Sequence, residues 1–354
     1  MAKYLIINPF GIGDVLFTTP VVRAIKEDNP ENFIGYWCNE RVEPILKNNP
    51  NISKIFALSR GDLKKIYQAS KWQGISSSLG LFFSIRREHF DICLDFSLDH
   101  RYSLISKLAG ISRRIGFNYK KRGRFLTDKV NIDGYHTKHA VEYYLDLLKF
   151  INIKPKSKNL DLFIPKLNEI RIRHIFDGNL IEEKDLVIGI GPGAGASWGK
   201  DAAMKHWPAL KFAQLADRIT DGLKAKIIVL GDESERPIAD IITNAMRHKP
   251  LDLVGKTTLE DLSAAIKNLR LLITNDGGLM HMAVALGVKT VAIFGPADDK
   301  VYGPYPPSAN NIVIKKDLAC RPCYKNFRLP ACEFDKECVK SISVDEVFAA
   351  VRRL

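Results

Sequence analysis

Short runs of β-branched and aliphatic residues recur along the chain and alternate with stretches in which apolar residues return every third or fourth position. Runs that are apolar on both faces predict strands of parallel sheets covered by helices, and the three-and-four spacing predicts the helices themselves. In the first half, strands are expected at 4–7, 33–37, 54–57, 91–94 and 114–117, and in the second at 186–190, 226–230, 251–254, 271–274 and 290–294. Helices are expected at 139–149, 208–220, 259–269 and 279–286. Between the two series, Ile153-Lys154-Pro155-Lys156-Ser157-Lys158-Asn159 is polar and broken by proline, which sets a boundary between domains 1–159 and 160–354. The expected fold class is therefore α/β, with two doubly wound parallel sheets and a cleft between them. Open sheets of this kind bind ligands beyond the carboxyl ends of their strands, so the chemistry is sought in the turns that follow strands.

Composition narrows the class. A chain of 354 residues, 46% hydrophobic and 26% charged, is ordinary globular material of about two domains, which excludes a collagen, a disordered tail and a disulfide miniprotein. The formal net charge of +13 points to an anionic partner: a phosphorylated ligand, a nucleic acid or an acidic membrane surface. Neither a signal peptide nor an apolar run of membrane-spanning length is evident, so the chain reads as cytoplasmic, soluble or peripherally attached.

Four turns carry candidate chemistry. After the first strand, Gly11-Ile12-Gly13-Asp14 permits close backbone approach and places a carboxylate near a helix start; Asp14 serves either as a cap or as a base for an acceptor hydroxyl. After the first strand of the second half, Gly191-Pro192-Gly193-Ala194-Gly195-Ala196-Ser197 precedes Lys205-His206-Trp207-Pro208. Gly191, Gly193 and Ala196 match the dinucleotide pattern, but Trp207-Pro208 puts the next helix start about a dozen residues on, which disfavours a dehydrogenase. The Walker pattern fails too, because Asp201 follows Gly199-Lys200. What is left is a loop whose amides, with Ser197 and Lys205, can hold phosphate oxygens, or an ordinary solvated loop. In the third turn, Asn275-Asp276-Gly277-Gly278-Leu279-Met280-His281, two glycines meet the free amides of a helix start and make an anion site without a metal, while Asp276 and His281 equally suit a cap and a buried histidine. The fourth turn is Phe294-Gly295-Pro296.

Taken together and in this order, Gly11-Ile12-Gly13-Asp14, Lys205-His206-Trp207-Pro208, Asn275 to His281 and Phe294-Gly295-Pro296 resemble glycosyltransferase family 9, the lipopolysaccharide heptosyltransferases. The resemblance implies a GT-B architecture of two Rossmann-like domains, the acceptor held by the first and the nucleotide-sugar donor by the second. It implies inverting transfer of heptose from an ADP-activated donor to a lipopolysaccharide inner-core acceptor, with no cofactor required for catalysis. On the matched motifs, Asp14 would be the general base, Lys205 the cation on the diphosphate, Asp276, Gly277 and Gly278 the donor turn, His281 the family histidine and Ser197 part of the phosphate loop; Gly11 and Gly13 would lie against the acceptor. Glu233 and Glu235 fall in the region that approaches the nucleoside. No two aspartates are separated by one residue, so the D-x-D element of metal-dependent transferases is absent and the leaving diphosphate is left to amides and Lys205. The family commonly has a hydroxyl residue where this chain has Gly277.

Six basic residues and no acidic one stand between positions 111 and 124: Arg113, Arg114, Lys120, Lys121, Arg122 and Arg124. With Arg60, Lys64 and Lys65 they are either a solvated face or a seat for an anionic glycolipid acceptor at the inner membrane leaflet. No nucleic-acid motif accompanies them, and no nucleic acid is expected as a partner. The spacing of Cys320, Cys323, Cys332 and Cys338 suits a closed structural zinc site as well as free or reversibly oxidised thiols. A relative with another nucleotide sugar, an epimerase, and a silent nucleotide-sugar or RNA-binding module are the competing readings.

Overall fold

The computed structural model describes residues 1–58 and 71–354. The chain divides into two compact units, Met1–Phe163 and Ile164–Leu354. In the first unit six strands, β1 (Lys3–Asn8), β2 (Phe33–Cys38), β3 (Lys54–Ala57), β4 (Ile92–Asp95), β5 (Arg113–Tyr119) and β6 (Asp128–Ile132), form one sheet in the order β3-β2-β1-β4-β5-β6. The second unit repeats that order with β7 (Val187–Gly191), β8 (Lys226–Val229), β9 (Leu251–Asp252), β10 (Leu271–Asn275), β11 (Lys289–Ile293) and β12 (Asn311–Ile314), arranged β12-β11-β10-β7-β8-β9. Every pairing in both sheets is parallel.

This is the Rossmann order twice over, and in each sheet the winding reverses between two central strands: β1 and β4, then β7 and β10. Loops leaving those two strands diverge and open a crevice at their carboxyl ends. Among the described residues, the helices of the first unit are α1 (Ile12–Phe17), α2 (Thr19–Asp28), α3 (Lys71–Arg87), α4 (His100–Leu108) and α5 (Ala140–Asp146). Those of the second are α6 (Lys166–Gly178), α7 (Ala209–Leu223), α8 (Arg236–Ala245), α9 (Leu259–Lys267), α10 (Gly278–Ala285) and α11 (Val344–Arg353), with single-turn helices in the connections.

The strands read as unbroken apolar runs because both faces are covered. Leu5 and Ile7 of β1 pack into one cluster with Trp37, Phe56, Ile85 and Phe90, while the intervening Ile6 is equally buried toward the other face. In the second unit Ile188, Ile190, Ile273, Val291 and Ile293 meet Trp207, Phe212 and Leu215, with Val347 and Val351 of α11 closing the layer. Trp207 is fully buried, edge-on to Phe212 at 4.8 Å, and its indole N–H donates to Ile342 O at 3.0 Å. Burial of an aromatic this size is worth ~3–5 kcal/mol against truncation to alanine.

Two sequence expectations need correction. The boundary falls four residues later than 159, because Leu160 is buried in the first unit and Asp161 is tied there, its amide donating to Thr19 Oγ1 at 2.9 Å and its carboxylate pairing with Arg23. The strand expected at 91–94 runs on to Asp95, which lies opposite Ile7 across the switch point. Among the described residues, no helix is long and apolar enough to cross a membrane.

Candidate active site

In the first unit the turn after β1 is built around a buried asparagine. Asn8 accepts from Phe10 N with Oδ1 (3.1 Å) and donates from Nδ2 to Asp14 O (2.9 Å), which folds the glycine turn back onto the strand end. Gly11 takes the N-cap position of α1 and Asp14 is the third helical residue, so the carboxylate does not cap the helix; it stands in the first turn, where the helix dipole favours its charge. Thr18 then ends α1, its hydroxyl donating to Val15 O at 2.6 Å, and Pro20 restarts the chain as α2. Asp14 is half-buried, and Tyr144 of α5 donates to its Oδ1 at 3.4 Å. Tyr144 is itself fully buried against Phe96 at 4.7 Å and Phe117 at 6.3 Å. The site thus has a carboxylate that remains accessible on one side and is steadied by a phenol on the other.

On the same rim, β4 ends in Asp95. Burial pushes its carboxyl up to about 6, against the opposing hydrogen bonds from Ser97, with Asp99 adding to the rise. The sign follows: the fold prefers the protonated acid, so stability is greatest below the ordinary carboxylate range and declines as pH rises from about 4 through 6. Asp95→Asn, whose Oδ1 can still accept from Ser97 N, is therefore expected to raise stability at pH 7.5 by roughly 2–3 kcal/mol and to change little at pH 4. Denaturant titrations at the two pH values check this.

In the second unit the turns after β7 and β10 are stitched together by Asn275, fully buried, which donates from Nδ2 to Pro192 O at 2.5 Å and accepts the Trp207 amide at Oδ1 (3.0 Å). Holding Trp207 places Lys205 two residues earlier, and Lys205 Nζ lies 2.6 Å from Asp276 Oδ2. Lys205 is 2% exposed and Asp276 3%, so the pair is a buried, mutually neutralised one. The lysine expected as the cation on a diphosphate is paired here with the carboxylate that begins the glycine turn. Gly277 follows at the N-cap of α10, so positive amide ends are presented at Gly277 and Gly278. His281 is buried at the end of the first turn of that helix.

The absence of a hydroxyl residue at 277 has a steric cause. A Cβ there would come within 2.9 Å of Ala194 O and 3.1 Å of Ala194 C, backbone atoms of the facing turn. The two turns approach too closely for a side chain. The amides of the β7 turn are also less available than the sequence suggested: Glu235, 8% exposed, accepts from Gly195 N and Asp232 N at 3.1 Å each, and a Cβ on Gly193 would overlap its carboxylate. Burial, with Asp232 nearby, raises the Glu235 carboxyl. A cavity of about 820 Å³ borders this region, lined by Gly195, His206, Trp207, Glu235 and Lys336 among others.

The remaining expectations divide. Arg60 and Lys64 lie outside the described residues, and so does the side chain of Ser197. Gly11 and Gly13 do bracket the start of α1 beside Asp14. Arg113 and Arg114 begin β5 and so stand at the amino end of the strand, away from the rim: Arg113 pairs with Asp128 at 3.2 Å, and Arg114 donates to Phe125 O at 2.7 Å and Ser112 O at 3.0 Å. Those guanidiniums satisfy backbone and edge-strand groups at the end of the strand opposite the rim. Arg122, with Lys120 and Lys121, is exposed in the turn after β5, at the carboxyl end. No disulfide joins the four clustered cysteines: Cys320, Cys323 and Cys332 lie on one loop and Cys338 in the single-turn helix Glu337–Lys340 that follows it, Cys338 buried and Cys332 exposed, with Lys336 N donating to Cys332 Sγ at 3.3 Å. Among the described residues no three His, Cys, Asp or Glu side chains gather closely enough to hold an ion. Sequence reading gave no role to Asn8, Tyr144 or Asn275: the two asparagines sit at the start of the glycine turns it singled out, and Tyr144 belongs to no such pattern.

Two Rossmann-ordered sheets in one chain, each with a polar turn at its switch point, are the GT-B fold. The model of glycosyltransferase family 9 (heptosyltransferase) matches residues 79–330, and the chain belongs to that family. Among relatives, it is 27% identical over 358 residues to lipooligosaccharide heptosyltransferase 2 of Campylobacter jejuni, covering 99% of this chain and 98% of that protein. It is 24% identical to the lipooligosaccharide heptosyltransferase 2 of Haemophilus influenzae, with 85% of each covered. Its fold matches a family 9 glycosyltransferase from Veillonella parvula with a TM-score of 0.83 at 23% identity, covering 99% and 96% of the two chains. It matches the ADP-heptose lipopolysaccharide heptosyltransferase II of E. coli at 0.75 and 19%, covering 99% and 98%.

Proposed function

We propose that this chain transfers a heptose from an ADP-activated donor to an inner-core lipopolysaccharide acceptor, with inversion and without a catalytic metal. The full-length match to the Campylobacter jejuni heptosyltransferase carries the choice of sugar class, and the Asp14 and Gly277-Gly278 turns supply the chemistry. The second unit holds the donor, its diphosphate at the α10 amides, whose positive ends offset the charge that develops on the leaving group. The first unit holds the acceptor. Asp14 takes the proton from the acceptor hydroxyl as its oxygen bonds to the anomeric carbon; the bond from that carbon to the diphosphate breaks, and ADP departs with the electron pair. One displacement inverts the anomeric centre. The exposed Lys120, Lys121 and Arg122 suit an anionic glycolipid and a peripheral approach to the inner membrane leaflet from the cytoplasmic side.

The test is incubation of the full chain with a panel of nucleotide sugars and a truncated core acceptor, reading the mass added and the anomeric configuration of the product. One heptosyl unit from ADP-heptose alone, inverted and undiminished by EDTA, supports the reading. Transfer of another sugar, or epimerisation without transfer, sets it aside.

For the cysteine loop we propose a structural role apart from the transfer step. A zinc ion would have to draw the four thiols together, with Cys320, Cys323, Cys332 and Cys338 as ligands. Elemental analysis of purified chain is expected to give about one zinc per chain, lost in Cys320→Ser/Cys323→Ser with a lowered melting temperature. Six titratable thiols and no metal would assign them as free thiols.

A further inference from the structure

Lys205 does not meet Asp276 alone. Its Nζ lies 3.5 Å from the centroid of the Trp198 ring, and Trp198 in turn packs on Tyr324 with ring centroids 4.8 Å apart at 54°. Tyr302 backs Tyr324 from 5.7 Å. Trp198 belongs to the segment after β7, whereas Tyr324 belongs to the cysteine loop, more than a hundred residues further along the chain.

That loop is fastened to the turn after β11. The amides of Cys323 and Tyr324 both donate to Pro296 O at 3.1 Å. Arg321, its side chain 7% exposed, gives Nε to Gly295 O at 2.5 Å, Nη2 to Ala297 O at 3.1 Å and Nη1 to Lys316 O at 3.0 Å. Cys338 packs on the same turn, its Sγ 3.6 Å from where a Cβ on Gly295 would stand. Tyr324 is thus presented from a rigid base.

An ammonium between a carboxylate and an aromatic face is held in position and stripped of water on both sides. We propose that Trp198 and Tyr324 are positioning residues for the donor site: they clamp Lys205 on Asp276, fix the glycine turn that receives the diphosphate of a nucleoside diphosphate sugar, and make the cysteine loop a working wall of that site. This rests on the donor reading given above. Neither aromatic acts on the reacting atoms. Their loss raises KM for the donor and leaves kcat at saturating donor unchanged.

The experiment is calorimetric titration of ADP into the full chain and four variants, followed by donor kinetics. Trp198→Ala is expected to weaken ADP binding about tenfold and Tyr324→Ala about threefold, while Trp198→Phe and Tyr324→Phe, which keep a ring face, stay within about threefold and twofold of wild type. Should Trp198→Ala melt below the assay temperature, the Tyr324 pair carries the same comparison. Alanine variants that bind ADP like wild type, or phenylalanine variants as weak as the alanine ones, overturn the clamp while the donor reading stands. Wild-type chain that takes up no ADP overturns both.

Discussion

Asp14→Asn is expected to lower kcat by roughly 10²-fold or more, the scale of a positioned general base, while ADP affinity stays within about twofold of wild type. The separation follows from where the groups sit. Asp14 belongs to the first unit, and the turn assigned to the donor belongs to the second. Asparagine keeps the size of the side chain and can still accept from the Tyr144 hydroxyl, so the first turn of α1 is preserved and only proton uptake is removed. Single-turnover kinetics with saturating donor and acceptor, beside ADP titration on the same preparation, make the check. A variant that turns over normally removes the base assignment. A variant that also loses ADP affinity shows that the turn is coupled to the donor, and the division of labour between the units then fails.

Lys205→Met carries the largest expected effect on stability. It leaves the Asp276 carboxylate buried at 3% exposure without its cation, and breaking a buried pair from one side costs about 3–5 kcal/mol. For a unit of this size that corresponds to a melting temperature lower by roughly 10 °C. The companion variant Lys205→Met/Asp276→Asn is expected to recover much of the loss, because no isolated charge remains. The single variant also acquires a pH dependence of definite sign. An unpaired buried carboxylate has its pKa raised, so the deficit shrinks as the medium is acidified toward the ordinary carboxylate range. Chemical denaturation of both variants at pH 7.5 and 5 measures all three statements. Equal stability of the single variant and wild type would mean that the pair contributes nothing to the fold, and equal stability of the single and double variants would mean that no unpaired charge causes the loss.

The central strands were legible because a parallel strand covered on both faces must be apolar throughout, as Tyr4-Leu5-Ile6-Ile7 and Leu271-Leu272-Ile273 are. Of the four edge strands, β3 and β9 were expected at 54–57 and 251–254, and β6 and β12 were not. β6, with the pattern Asp128-Lys129-Val130-Asn131-Ile132, and β12, Asn311-Ile312-Val313-Ile314, are paired on one side only and partly exposed, so nothing forces a continuous apolar run. The candidate site divides in the same way. Asp14, Gly277 and Gly278 announce themselves by spacing after a strand. The placement of Arg113 and Arg114 was not legible, because a run of like charges says nothing about which end of a strand each residue occupies, and theirs is the end opposite the rim. The pairing of Lys205 with Asp276, 71 positions away, and the steric reason for Gly277 depend on two turns meeting in space, which no local pattern encodes.

The tie between Asp161 and Arg23 bears on how the halves can be separated. A cut after residue 159 would strip the first half of the acid that answers a mostly covered guanidinium, 16% exposed, and of the amide that engages Thr19 Oγ1. Scission after Phe163 keeps both, so the independently expressed piece with the better prospect of remaining folded is the one that carries those four additional residues.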